Sequence, residues 1–471
     1  MPSLTFLSAA SMADAVRRKE ISPVELVKAH LERIEELNPR LNAYVEICGE
    51  AALEAAKRAE DVIAHGNSCG PLHGVPVSIK GSIAVEGMLW ETGTKLRRGM
   101  RASQDATLVA RMRKAGAIIL GVTNTAEMLM AWETDNILHG RTDNPWDLSR
   151  TAGGSSGGEA AAIAAGMSAG GVGSDGGGSI RVPAHFSGIC GLKPTPGRVP
   201  ATGHYPESLG PFAMIGVVGP MARTVRDLKL LFDAMQGLDY ADTSAAPVPV
   251  QWASRDDLRK LRIGYFEDDE RTPVTAETRA AVRMAAEALK KSGFQVEHFR
   301  PEGLEEARQQ WWKVFGTVGG MLLGPMTRGR ESELSPALKQ YLQWTAREPC
   351  HSGESLLETW LQRDILRQKI FQQMNEYPVL LCPAAAIPAF KHGERSWSIE
   401  GKTVEYLDAW SYSEWFNLLG TPAVVVPIIR SNEGLPIGVQ ISARPWQEEL
   451  VLSIAEELEA QRGDWYYPQL N

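Results

Sequence analysis

Between Thr151 and Ala184 the chain reads TAGGSSGGEAAAIAAGMSAGGVGSDGGGSIRVPA, which crowds eleven glycines and five serines into a stretch without a histidine. Serine becomes a nucleophile when a base takes its proton, and that base need not be histidine. A lysine serves if burial disfavours its ammonium form and lowers its pKa toward neutrality. Val75-Pro76-Val77-Ser78-Ile79-Lys80 is an apolar run that ends in such a lysine. A lone lysine at a strand end more commonly reaches solvent. Its chemistry therefore depends on where the fold puts it.

Three other readings of the glycine-rich stretch are weaker. A flexible Gly/Ser linker does not fit the alanine-rich run Glu159 to Ala165, which favours helix. Gly171-Val172-Gly173-Ser174-Asp175-Gly176 matches the dinucleotide pattern G-x-G-x-x-G, but that pattern needs a strand before it and a helix straight after. Gly177, Gly178 and Pro183 are expected to interrupt such a helix. Gly153 to Gly157 and Gly154 to Gly158 both fit the nucleophile elbow G-x-S-x-G, yet no partner histidine presents itself.

Longer stretches decide the matter. Gly70-Pro71-Leu72-His73-Gly74 leading into the Lys80 run, the GGSSGG block at Gly153 to Gly158, and Gly177-Gly178-Ser179-Ile180-Arg181 through Gly191-Leu192-Lys193-Pro194-Thr195 together resemble the amidase signature family. Gly121-Val122-Thr123-Asn124-Thr125 and Pro436-Ile437-Gly438-Val439-Gln440 extend the resemblance over most of the chain. It implies an α/β amidase-signature fold, with a large central mixed sheet surrounded by helices. It also implies an amide-bond hydrolase working through a covalent acyl-enzyme and a Ser-cisSer-Lys triad. Lys80 would be the base, Ser155 the proton relay after a cis peptide bond, and Ser179 the nucleophile. Gly176, Gly177 and Gly178 would turn amides toward the developing oxyanion, as residues without side chains can. Ser156 would support the triad or cap the helix beginning near Gly157, Ser174 would support the triad, and Asp175 and Arg181 would pin the loop; Ser168 is expected to be structural. One departure stands out: many relatives carry Asp-Asn after the lysine, where this chain has Gly81-Ser82.

The same resemblance leaves a second activity open, the amidase subunit of a tRNA-dependent amidotransferase, and a third reading, a non-catalytic binding protein on the same fold. The filled triad positions speak against the third. Seven of thirteen tryptophans (Trp311, Trp312, Trp344, Trp360, Trp397, Trp410 and Trp415) fall between residues 311 and 415; each taken singly is expected to pack a helical layer, while together they suggest an aromatic-lined entrance for apolar, aryl or urethane-like substrates.

Composition agrees with an enzyme of small molecules. The net charge of −8 argues against a broad nucleic-acid footprint, and Lys95, Arg97, Arg98 and Arg101 read as a solvated basic edge. Five widely spaced cysteines with no C-x-x-C pair indicate reduced thiols in a cytoplasm. The start, MPSLTFLSAASMADAVRRKE, makes a poor signal peptide, and no apolar run is long enough for a membrane span. Nine histidines without H-E-x-x-H or close spacing assign no metal, and no cofactor is expected. A homodimer is left open.

The elements that must position these residues alternate along the chain. Ser22-Pro23-Val24-Glu25 is a capping box opening a helix that should stop near Leu37, before Asn38-Pro39. Strands are expected at Val75 to Lys80, Ala117 to Gly121, Leu261 to Phe266, Phe294 to His298, Val379 to Cys382, Ala423 to Ile428 and Gly438 to Ser442. Helices are expected at Ala51 to Ala64, Asp105 to Lys114, Thr224 to Met235, Pro273 to Ser292 and Gln447 to Gln461. This pattern suggests one large domain over 1–471, with 300–375 as a helical lid or insertion within it.

Overall fold

A computed structural model describes residues 4–67, 69–347, 352–468 and 470. Eleven strands form one mixed sheet: β1 (Tyr44–Ile47), β2 (Pro76–Lys80), β3 (Ile118–Thr123), β4 (Gly170–Asp175), β5 (Cys190–Lys193), β6 (Val217–Ala222), β7 (Arg262–Tyr265), β8 (Gln295–His298), β9 (Val379–Pro383), β10 (Ala423–Arg430) and β11 (Pro436–Ala443). Their spatial order is β1-β3-β2-β4-β6-β5-β10-β11-β9-β7-β8. β2 pairs in parallel with both β3 and β4, and β7 in parallel with β8 and β9, while the centre of the sheet is antiparallel. Helices cover both flanks, so the strands near the site are buried along their whole length, as in β2 and β4.

The local signals at helix starts are realised. Ser22 Oγ accepts from the Val24 amide and the Glu25 carboxylate accepts from the Ser22 amide, closing the capping box of the helix Pro23–Leu41. That helix runs past Asn38-Pro39, four residues beyond the expected stop. The Asn38 side chain holds the chain reversal, accepting from the Ala43 and Tyr44 amides, and Asn42 takes the left-handed cap at φ 50°. Pro183 likewise does not break its helix. It sits in the first turn of Arg181–Ser187, where an amide hydrogen has no intrahelical partner to lose.

β4 is the element that sequence propensity hides. Gly170-Gly171-Val172-Gly173 has little side chain to favour a strand. Packing explains it. A Cβ on Gly171 would strike the Glu159 carboxylate and the Ser78 carbonyl, and one on Gly173 would meet Met221 Sδ at 2.7 Å and Ser156 Oγ at 2.9 Å. Bare backbone lets the helix Gly157–Ala164 and β2 close directly onto this strand. Gly171 and Gly173 of the dinucleotide-like pattern thus lie within a strand, and no helix follows directly to make a phosphate turn.

Between β8 and β9 the described residues contain helices only, including Leu304–Trp312, Gly319–Thr327, Pro336–Thr345 and Gly353–Gln373. No helix among the described residues is long and apolar enough to cross a membrane. Cys48, Cys69, Cys190 and Cys382 are free; Cys350 lies outside the described residues.

The close approach at β4 has a measurable consequence. Gly171→Ala is expected to lower unfolding free energy by about 1–3 kcal/mol through overpacking. Gly324→Ala, with open space around its Cβ position inside a helix, should leave it unchanged or raise it by up to about 1 kcal/mol. Urea unfolding of the two variants beside the parent checks the contrast.

Candidate active site

β2 carries Lys80 into the interior at its last position, and the side chain is fully buried. Among the described residues no carboxylate forms an ion pair with its amine. Three hydroxyls contact it: Nζ lies 2.7 Å from Ser155 Oγ and donates to Ser156 Oγ at 2.8 Å and Ser174 Oγ at 2.9 Å. A neutral amine, with two N–H donors and one lone pair, matches three such partners if one of them donates. Burial pushes the Lys80 ammonium well below its ordinary range, against the opposing pull of Asp175 and Glu159. Gly81 donates its amide to Thr123 O at 2.9 Å, and a Cβ there would come within 2.7 Å of that same oxygen. The Gly81-Ser82 departure thus brings the turn after Lys80 tightly against β3.

The Ser155 turn is built from bonds made across the chain. The Gly154–Ser155 peptide bond is cis. Ser155 O accepts from Thr125 Oγ1 at 2.8 Å, and Gly153 O accepts from Thr134 Oγ1 at 2.9 Å. The Gly157 amide donates to Thr134 Oγ1 at 2.9 Å, so the helix Gly157–Ala164 is capped from a distance. Ser156 occupies the cap position but makes no cap bond, which leaves its hydroxyl to Lys80. The Ser156 amide donates to Ser179 O at 3.2 Å and so ties the two serine loops together.

Asp175 and Arg181, both buried, shape the loop that carries Ser179. Asp175 Oδ1 accepts from the Gly178 amide at 2.7 Å and Oδ2 from the Ile180 amide at 3.0 Å. The Arg181 guanidinium meets the two carboxylate oxygens at 3.0 Å each. Burial opposes ionisation of Asp175, but Arg181 and then Lys193 hold its carboxyl well below the usual range. Gly178 must be corrected as an oxyanion donor: its single N–H is already committed to Asp175. Its contribution is conformational, at φ 113° with Ser413 Cβ 2.9 Å from where its own Cβ would sit. Among the described residues the amides of Gly176, Gly177 and Ser179 have no protein acceptor.

Ser155, Ser174, Asp175, Gly176 and Ser179 open onto one cavity of ≈ 70 Å³. Its apolar walls are Leu129, Met130, Phe212, Val217, Phe315, Leu322 and Leu323, with His204, Glu207 and Ser208 on the polar side. The Ser179 hydroxyl has no hydrogen-bond partner among the described residues. None of the seven tryptophans lines this cavity. Trp410 and Trp415 are buried core, while Trp311, Trp312 and Trp344 line a separate cavity. The tryptophans therefore do not form the entrance expected from their clustering; the aromatic wall of this cavity comes from Phe212 and Phe315. The helical segment contributes Phe315, Leu322 and Leu323 instead.

Several residues of the site escape sequence reasoning. Asn417 Nδ2 donates to Asp175 Oδ1 at 3.0 Å from 242 positions away, and Gln440 Oε1 accepts from Arg181 at 3.0 Å. Glu159 lies buried beneath β2, its carboxylate accepting from Ser78 Oγ at 2.6 Å and Thr123 Oγ1 at 2.8 Å. Burial pushes its pKa up to about 7 against those bonds and Lys80. Ser168 is structural, donating to Gly170 O at 2.7 Å.

Comparison with known proteins follows the same path. A family model described as Amidase matches residues 25–452. The chain is 34% identical over 466 residues to an indoleacetamide hydrolase of Bradyrhizobium diazoefficiens, covering 97% of this chain and 86% of that protein. It is 34% identical over 475 residues to an acylamidase of Rhodococcus erythropolis, covering 98% and 96%. A solved bacterial aryl acylamidase superposes with a TM-score of 0.86 at 27% identity, over 97% of this chain and 96% of that one.

The buried amine links stability to pH. On unfolding, Lys80 returns to its ordinary pKa of about 10.4, so unfolding takes up a proton between the depressed folded value and that one. The unfolded state binds more protons there, and stability rises with pH across this window. Lys80→Met abolishes the uptake. Its stability relative to the parent is expected to be most favourable at the low-pH end and to decline as pH rises, read by urea unfolding at about pH 6 and about pH 9.

Proposed function

The chain belongs to the amidase signature family of amide hydrolases, and on that premise we propose that Ser179 is its nucleophile, Ser155 its proton relay and Lys80 its base. The observation that carries the reading is the buried Lys80 amine in hydrogen-bond reach of Ser155 Oγ, on a cavity that Ser155 and Ser179 share. Ser179 Oγ adds to the substrate carbonyl carbon while its proton passes through Ser155 Oγ to the lone pair of Lys80 Nζ. The carbonyl oxygen becomes an oxyanion, met by the unpartnered amides of Gly177 and Ser179 with Gly176 beside them. Collapse breaks the C–N bond, and the relay run backward protonates the departing amine. Water then repeats the sequence on the acyl-enzyme, releasing the acid and restoring Ser179. Ser156 and Ser174 hold the amine at its post, and the Asp175–Arg181 pair holds the loop.

The substrate class we infer is an amide with a compact apolar acyl or aryl group, in keeping with relatives named acylamidase and aryl acylamidase. The cavity wall is mainly hydrocarbon. Its ≈ 70 Å³ is roughly half of a ~150 Å³ apolar cavity that accommodates benzene. Small acyl groups fit as it stands; larger ones require the lip at Phe212 and Leu322 to give.

Ser179→Ala is expected to abolish turnover and covalent labelling by a fluorophosphonate, and Ser155→Ala to slow turnover by about 10²–10⁴-fold. Lys80→Arg, a permanent cation, should not restore activity. Intact-mass detection of the label on Ser155, or near-normal turnover in Lys80→Arg, would sink the assignment.

Acyl length tests the pocket. Each buried methylene is worth about 0.8 kcal/mol, or about fourfold in kcat/KM. Efficiency should climb from acetamide until the cavity is filled and then level off, and Phe315→Ala should move the plateau to longer chains. A profile flat from the first carbon, or one favouring free glutamine, defeats this substrate class and supports the amidotransferase alternative.

A further inference from the structure

Three consecutive glycines precede Ser179, and glycine peptides turn over at little steric cost. A half-turn of the Gly176–Gly177 peptide would replace a donor facing the oxyanion with a carbonyl that repels it. Something has to hold that plane. Two indoles are placed to do so. Trp311 Nε1 donates to Gly176 O at 2.8 Å, and Trp132 Nε1 donates to Gly177 O at 2.8 Å. In a trans peptide the N–H points opposite to the C=O, so the first bond directs the Gly177 amide away from Trp311. The second acts with Asp175, which takes the Gly178 amide at the other end of the next peptide.

We propose that Trp311 and Trp132 are positioning residues for the oxyanion-binding amides: Trp311 aims the Gly177 amide through the Gly176–Gly177 peptide, and Trp132, together with Asp175, locks the neighbouring Gly177–Gly178 peptide and so fixes the backbone on which the Gly177 and Ser179 amides are carried. The inference rests on the reading of Ser179 as nucleophile. Both rings are themselves held. Trp311, 1% exposed, stacks on Phe315 at 4.7 Å, and Trp132 stacks on Trp410 at 5.9 Å. A Cβ on Gly177 would collide with the Trp311 ring, so the glycine and the indole require each other. Neither tryptophan lines the cavity at Ser179, so neither serves the substrate by direct contact.

The test compares two inhibitors of similar shape on the parent, Trp311→Phe, Trp132→Phe, and a protein carrying 3-benzothienylalanine at position 311. That last residue keeps the bicyclic shape and replaces the N–H by sulfur, so it covers the case in which Trp311→Phe fails to fold. With a trifluoromethyl ketone, Ser179 Oγ adds to the ketone carbon, its proton goes to Lys80, and the ketone oxygen becomes an oxyanion. The matching secondary alcohol binds without forming one. We expect kcat on an aryl amide and trifluoromethyl ketone affinity to fall together by about 10–10³-fold, with KM and alcohol affinity within about twofold. Unchanged kcat, or equal losses for both inhibitors, would overturn the proposal. Mass analysis of the parent separates the two levels: ketone or fluorophosphonate adducts absent from Ser179 would instead refute the nucleophile assignment beneath it.

Discussion

Everything at the site follows from placing one amine inside the protein without a counter-ion in contact among the described residues. Lys80 is buried among three hydroxyls, and desolvation outweighs the more distant carboxylates of Asp175 and Glu159. A direct carboxylate would have favoured the ammonium and removed the lone pair. Glu159 comes near, yet its own hydrogen bonds go to Ser78 and Thr123, and burial brings its pKa to about 7. The glycines of β4 serve this placement, since only bare backbone lets Glu159, Ser156 and β2 converge around the lysine.

A second buried charge system has a different duty. Asp175 and Arg181 are both sequestered, and such pairs add little net stability relative to apolar packing, while removing one partner is severe. Their use here is geometric. One carboxylate gathers the Gly178 and Ile180 amides around a turn whose residues have almost no side chains to pack. Asn417 and Gln440 extend the network, each accepting from Arg181, and Asn417 also donates to Asp175.

What the sequence makes legible is what depends on near neighbours. The capping box at Ser22 and the apolar run ending in Lys80 are local patterns, and both are found as helix start and buried strand. Contacts made at long range were invisible: Thr134 capping the Ser156 helix, Asn417 on Asp175, and the indoles of Trp132 and Trp311 on glycine carbonyls. The tryptophan cluster misled because composition cannot distinguish a ring that lines a cavity from one that packs behind it. β4 was hidden because close approach of three elements overrides the poor strand propensity of glycine. Gly178 misled for the complementary reason, since a bare residue in the right place can still have its N–H engaged elsewhere.

The strand order also bears on how copies of this chain could meet. An eleven-stranded sheet has two open rims, and here both are four-residue strands, β1 and β8. On the first, Glu46 accepts from Arg101 and from the Leu89 amide, which draws the 89–101 segment against that rim. On the other, Glu297 and His298 stand exposed, and Glu297 is paired with Arg262. Short, charged rims discourage strand-to-strand addition between molecules, the route to fibrous aggregates. The sheet that carries Lys80 is thus guarded at both rims against extension by a second chain.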